Sequence, residues 1–266
     1  MTTDNFELHI SGASKMPGGE YASVRISGSG KITGNLLCGT FSCSGAGKVE
    51  GDLVCRELAK SSGSTKIEGD FEANAMMVSG AFKVAGNCVI HTKAQVAGKL
   101  SAEGDLNVSE LELAGVCKVD GAVCGTAFNI SGCLDVENGV EAEQFYCAGV
   151  SKIGGLLNAE TVRLEASSQN KIRSIGGSVV EVLPKGGLSS LSIFRNAAPC
   201  LCSELVEADT ITLTRSVVEV VRGGTVSIGP DCEIGVVEYS QAVHIDPSAQ
   251  VRSVVRLAAQ AALPEA

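Results

Sequence analysis

Seven residues, GKVEGDL at 47–53, return along the chain with a fixed beat. GKITGNL stands 17 residues before, TKIEGDF 18 after, FKVAGNC a further 17, and CKVDGAV and SKIGGLL follow. With the glycine of the K-[IV]-x-G core as an anchor, the series runs Gly34, Gly51, Gly69, Gly86, Gly104, Gly121, then Asn138 and Gly155. Its steps are 17, 18, 17, 18, 17, 17 and 17. A second series, mostly [VIL]-[SA]-G, places Gly45, Gly63, Gly80, Gly98, Gly115, Gly132 and Gly149 in phase with the first. Two markers in phase over about 120 residues point to a solenoid, because so short a repeat cannot bury a core of its own.

The apolar residues fall into columns when the repeats are aligned. Two before the anchor stand Ile32, Val49, Ile67, Val84, Ala102, Val119, Val136 and Ile153, and two after it Leu36, Leu53, Phe71, Cys88, Leu106, Val123, Val140 and Leu157. Four after it come Cys38, Cys55, Ala73, Ile90, Val108, Gly125, Ala142 and Ala159. Before the second marker lie Phe41, Leu58, Met76, Ala94, Leu111, Phe128, Phe145 and Val162, then Cys43, Lys60, Val78, Val96, Leu113, Ile130, Cys147 and Leu164. Lys60 alone breaks these columns. Within a repeat, apolar and polar residues alternate with the period of two that belongs to strands. Three short strands per repeat, with glycines at the changes of direction, predict a parallel β-helix, a three-faced solenoid with 17 or 18 residues per coil. Its coils stack at roughly 4.8 Å.

The pattern reaches beyond the clear block. LHISG at 8–12 and VRISG at 24–28 match the second marker. SVVEVLPKGGLSSLSI at 178 resembles SVVEVVRGGTVSI at 216, and IGPDCEI at 228 and IDPSAQV at 245 are again 17 apart. The expected organisation is one continuous rod of about 14 coils, roughly 65 Å long. It has regular coils over 1–164 and a less regular continuation over 165–257, loosest near 165–215. The stretch 258–266 reads as a tail, frayed or a short helix.

Composition narrows the function. Aromatic residues make up 4% against 44% hydrophobic, so small and branched side chains must fill a narrow interior. A net charge of -9 argues against nucleic acid or an anionic membrane as the main partner. The start, MTTDNFELHISG, has the features of neither a signal peptide nor an anchor, which leads us to expect a cytoplasmic protein. Eleven cysteines, an odd number without any C-x-x-C, read as free thiols.

No catalytic residue, cofactor or metal is expected. A hexapeptide acyltransferase would need multiples of six and a histidine base, whereas His9, His91 and His244 sit beside inward positions and so face outward. A carbohydrate-active β-helix would need long loops, for which the regular coils have no room; the β-helix enzyme of either type is the alternative reading. Cys200 and Cys202 are the strongest metal candidates, but that spacing on a strand points them to opposite faces. Lysines at 31, 48, 66, 83, 118 and 152 run beside acids at 50, 68, 103, 120 and 137. The two rows are expected to neutralise each other on a solvated face.

A uniform β-helix leaves unpaired backbone and an apolar cross-section at each end. MTTDNFE is too short for a folded cap and VRSVVRLAAQ stays apolar, so stacking of copies is expected. At this point a family resemblance enters. The G-K-[IV]-x-G-[DN]-[LVF] coils, the N-terminal ISGxxxxxGGEYxxVxISGSGKI and the C-terminal VVRGGTVSIGPDCEIGVVEYS together resemble the bactofilins, in particular the longer Firmicutes-type polymer-forming members. The resemblance implies a right-handed β-helix that polymerises end to end without nucleotide into nonpolar filaments. Such filaments scaffold proteins that act in cell shape, the envelope or motility. It further implies self-association through apolar residues at the ends, here the zones Leu8, Ile10, Val24, Ile26 and Val251, Val254, Val255, Leu257. The expected partners are the protein itself, a paralogous bactofilin and unknown clients. Family members with a membrane-binding N-terminus are not matched by MTTDNFEL, so any membrane location is expected to be peripheral, at the inner face and through partners.

Overall fold

Alternating residues with glycine at each change of direction fold here into strands that bend at corners. The computed structural model describes residues 6–166, 169–185 and 198–257; the expected tail at 258–266 and the GGLSSLSI part, 186–193, of the stretch that begins at 178 lie outside them. The protein is all-β, with no helix among the described residues, and winds through about 14 turns of about 17 residues. Two units, Met1–Ala142 and Glu143–Ala266, divide the chain, and each is a parallel β-solenoid.

The first unit begins with β1 (Glu7–Ile10), β2 (Ala13–Ile26) and β3 (Ser29–Cys43). Short and long strands then alternate: β4 (Ala46–Val49), β5 (Leu53–Ser61), β6 (Ser64–Ile67), β7 (Phe71–Val78), β8 (Ala81–Val84) and β9 (Cys88–Val96). The series continues through β10 (Lys99–Ala102), β11 (Leu106–Leu113), β12 (Val116–Val119), β13 (Val123–Ile130) and β14 (Cys133–Val136), and β15 (Val140–Cys147) contains the boundary at Ala142. Each strand pairs in parallel with its equivalent one coil on, as in Lys48↔Lys66 and Leu111↔Phe128. The short strand forms one face of a coil, and the long strand forms two faces joined at a corner. Coils of 18 residues take their extra residue at that corner, where β5 and β9 each run to nine residues and the register shifts as at a bulge.

That bulge corrects the sequence reading at one coil. Phe41 pairs with Ala59 and Cys43 with Ser61, so Leu58 and Lys60 face solvent while Ala59 and Ser61 fill the interior. Lys60 is no exception to the pattern, because the extra residue precedes position 59. The buried Ser61 hydroxyl is hydrogen-bonded to Thr65 Oγ1 at 2.9 Å, so the polar group costs the core little. A further inward column, four before the anchor, escaped the alignment: Gly30, Gly47, Thr65, Phe82, Leu100, Cys117 and Leu134 are all buried. Its size varies against its neighbours. Cys43 and Ile26 side chains fill the space over Gly47, and Phe82 packs edge-on to Phe71 with ring centres 4.9 Å apart.

Both glycine series are demanded by stacking. At the second marker, a Cβ on Gly63, Gly80, Gly98 or Gly115 would collide with the carbonyl oxygen of the equivalent glycine one coil earlier. At the anchor, a Cβ on Gly51, Gly69, Gly86, Gly104 or Gly121 would collide with the Oδ1 of Asn35, Asp52, Asp70, Asn87 or Asp105. Those oxygens are where they are because each accepts a backbone N–H from the next coil: Asp52 N to Asn35 at 3.0 Å, Asp70 N to Asp52 at 2.9 Å and Asn87 N to Asp70 at 2.7 Å. Asp105 N to Asn87 at 3.0 Å and Ala122 N to Asp105 at 2.8 Å complete the ladder. It ends at Ala122, which has no acceptor to accommodate. Asn138, one position from the next step of this ladder, stands where the anchor glycine is expected and so meets no side-chain oxygen at Ala122.

The second unit contains β16 (Val150–Ala166), β17 (Asn170–Pro184), β18 (Leu201–Leu213), β19 (Ser216–Ile228), β20 (Glu233–Ile245) and β21 (Gln250–Arg256), each paired in parallel with the next. Its period is uneven. Asn170 and its partner Leu201 are 31 residues apart, Leu201 and Ser216 only 15, and Glu233 and Gln250 again 17. At the start of the long interval the buried Asn170 ties the layers together: its Oδ1 accepts from Ser151 N (2.7 Å) and Ser151 Oγ (2.8 Å), and its Nδ2 donates to Cys200 O (3.2 Å).

Candidate functional site at the terminal coils

Four interior ladders of the second unit run from β19 into β20, and two of them on into β21. Val218, Ile234 and Val251 share one ladder, Val221, Val237 and Val254 another; Val226 stands under Val243 and Ile228 under Ile245. Val221, Val226, Ile228 and Val237 are fully buried, as every inward position of a capped coil should be. Val254 is not. It continues the ladder of Val237, which is 0% exposed, yet is itself 45% exposed. Val243, Ile245 and Val251 are also only partly buried. Beside them Val255, in register with Glu238, points outward and is 42% exposed, and Leu257 N donates to Tyr239 O at 2.7 Å, extending the β21 ladder. An open apolar cross-section and a row of backbone groups thus lie together, flanked by exposed Arg252 and Arg256.

At the beginning of the first unit the interior is better covered. β1 lies on β2 with Leu8 over Val24 and Ile10 over Ile26, and all four are buried. On the other two faces Met16 stands over Ile32 and Tyr21 over Cys38, both half-buried, with the Tyr21 hydroxyl donating to Pro17 O at 3.3 Å. Gly12 carries the second-marker motif, but a Cβ there would meet nothing within 4 Å. Phe6 is an exposed large side chain beside this coil.

Of the eight residues expected from the resemblance, four therefore lie inside the first two coils of the first unit, and four lie on the last described coil of the second. Val243 and Ile245 at the latter, and Phe6, Met16 and Tyr21 at the former, escaped the sequence reading. For the valine and isoleucine the signal was there in the alternation AVHID at 242–246.

Along the flanks the chemistry is that of a solvated surface. Lys48 is shared between Glu68 (2.9 Å) and Glu50 (3.5 Å), Lys66 reaches Glu68 (3.0 Å), Lys83 reaches Glu103 (2.7 Å), and Lys118 reaches Asp120 (2.7 Å) and Glu137 (3.7 Å). Hydrogen bonds from these lysines hold the Glu50 and Glu68 carboxyls below their ordinary range, Lys31 leading at Glu50 and Lys48 at Glu68. His9, His91 and His244 are exposed; His91 lies 2.8 Å from Glu72. Cys200 is buried and Cys202 half-buried, with Gln169 Nε2 donating to the Cys202 sulfur at 2.9 Å. In the second unit an open groove of about 1230 Å³ passes Leu156, Leu205, Asp209 and Arg222, whose guanidinium is held by Glu207 (3.3 Å) and Glu238 (2.6 Å). Among the described residues no helix is long and apolar enough to cross a membrane.

Each unit is thus a parallel β-solenoid, and on the last described coil of the second unit the inward apolar side chains are incompletely covered by the described residues. Among known proteins, uncharacterized protein YhbE of Bacillus subtilis (strain 168) is 41% identical over 107 residues, 40% of this chain and 45% of YhbE. Uncharacterized protein YhbF of the same strain is 32% identical over 104 residues, 39% of this chain and 42% of YhbF. The match thus spans less than half the length of either relative. No protein-family model matches the chain, and no solved structure matches it.

Proposed function

We propose that the protein is a non-enzymatic scaffold of the bactofilin kind, whose copies stack through their terminal coils into filaments without nucleotide. The filaments would act in the cytoplasm as a support for proteins of the cell-shape, envelope or motility machinery, with a paralogue as a further subunit. One observation carries this reading: the interior ladder that is closed at Val237 is open at Val254. A second copy laid on this coil would cover what remains exposed of Val243, Ile245, Val251 and Val254, at about 1 kcal/mol for Val254 and less for each of the others. The same contact would pair the edge of β21 that no described strand pairs, as strands recruited to a sheet edge do. Gly12 adds support at the first unit. It keeps the glycine that the motif needs only where another coil presses against it, although no atom lies within 4 Å.

Val254→Arg tests the contact by placing a charge in it. Wild-type protein without nucleotide is expected to sediment at high speed, and the variant to stay in the supernatant with an unchanged far-ultraviolet spectrum. A variant that sediments like the wild type would remove the contact from this coil.

A further inference from the structure

Cys38 and Cys55 are register partners on β3 and β5, both inward and each 1% exposed. Among the described residues they are the only two cysteines paired in register. The Cys55 thiol donates to the Gly39 carbonyl at 3.4 Å, and the proximity of the two thiols pushes Cys38 up and draws Cys55 down from the ordinary thiol range. Paired strands stand about 4.8 Å apart, within the Cα range of roughly 4.4–6.8 Å that a disulfide spans. The Cβ atoms must still draw in to about 3.8 Å. The local backbone has the play for this, since the register shifts directly after each cysteine, between Cys38 and Phe41 and between Cys55 and Leu58, and Gly39 follows Cys38.

We propose that Cys38 and Cys55 form a redox-active dithiol, which closes to a disulfide between neighbouring coils on reaction with a low-molecular-weight disulfide. Cys55, as thiolate, attacks one sulfur of the small disulfide, breaks its S–S bond and releases one small thiol, leaving a mixed disulfide. Cys38 then gives up its proton to the departing thiolate and attacks Cys55 Sγ, releasing the second small thiol. The protein loses two electrons and two protons, and the small disulfide gains them. The order of attack agrees with the effect of each thiol on the other, which raises Cys38 and lowers Cys55. Because both groups are buried, the reaction waits on opening of the early coils, and local opening begins at the ends of a repeat stack. Once formed, the bond ties two successive coils near the start of the first unit and opposes that fraying.

The test uses the full chain and oxidised glutathione. After incubation the folded protein is quenched in acid, unfolded, alkylated and digested with trypsin. Lys48 lies between the two cysteines, so the disulfide would join two tryptic peptides. The expected product is this linked pair, abolished by reductant and absent from Cys38→Ser and Cys55→Ser. Oxidised wild type should melt about 5 °C above the reduced form, a difference that either variant loses. Recovery of both cysteines as alkylated thiols, or as separate glutathione adducts with no link, would overturn the proposal.

Discussion

A single methyl group distinguishes the glycines that stacking requires from those it does not. Gly98 and Gly12 occupy the same position of the second marker, but only Gly98 faces the Gly80 carbonyl and the Ser79 backbone of an earlier coil. Gly98→Ala is expected to lower stability by about 2 kcal/mol or more, since backbone on both sides cannot give way. Gly12→Ala should change it by less than about 0.5 kcal/mol. Thermal unfolding of the two variants side by side checks this, and equal losses would mean that the glycines act through backbone conformation instead. This reason for the glycines was only half legible in the sequence. Their period is visible, but what each one touches depends on the register. Lys60 shows the same limit: the column alignment carried it inward because the sequence alone does not say on which side of Leu58 the extra residue enters.

At the scale of the strand and its coil, neighbours are joined by ladders that change character along the chain. The acceptors from Asn35 to Asp105 stitch one corner of the first unit, and the lysine and glutamate rows neutralise the adjoining face. Exposed pairs of this kind contribute little individually, so the side-chain acceptors should matter more. Asp70→Ala, which leaves Asn87 N without its 2.7 Å acceptor, is expected to cost about 1 kcal/mol, while Asp70→Asn keeps the oxygen and should cost less than half of that. Equal unfolding temperatures for the two variants would show that the ladder is incidental. The aspartates and asparagines were plain in the repeated G-[DN] signature, yet their role was not, because it joins residues 17 or 18 apart. In the second unit even the period was obscured: the 31-residue interval between Asn170 and Leu201 and the 15-residue step after it break the count, and the buried Asn170 looks like a loop residue in sequence.

For the whole molecule, what remains after the ladders are satisfied is the last described coil, where inward valines and isoleucines stand half-covered above a closed interior. The apolar zones at both ends could be named from the sequence, but which of their side chains are already buried could not. Val24 and Ile26 resemble Val251 and Val254 as residues; coverage by a neighbouring coil is what separates them. The most direct measurement is electron microscopy of the purified protein, without nucleotide, over a rising series of concentrations. Copies that complete one another's coils should appear as filaments that lengthen with concentration, whereas separate particles at every concentration would contradict the account.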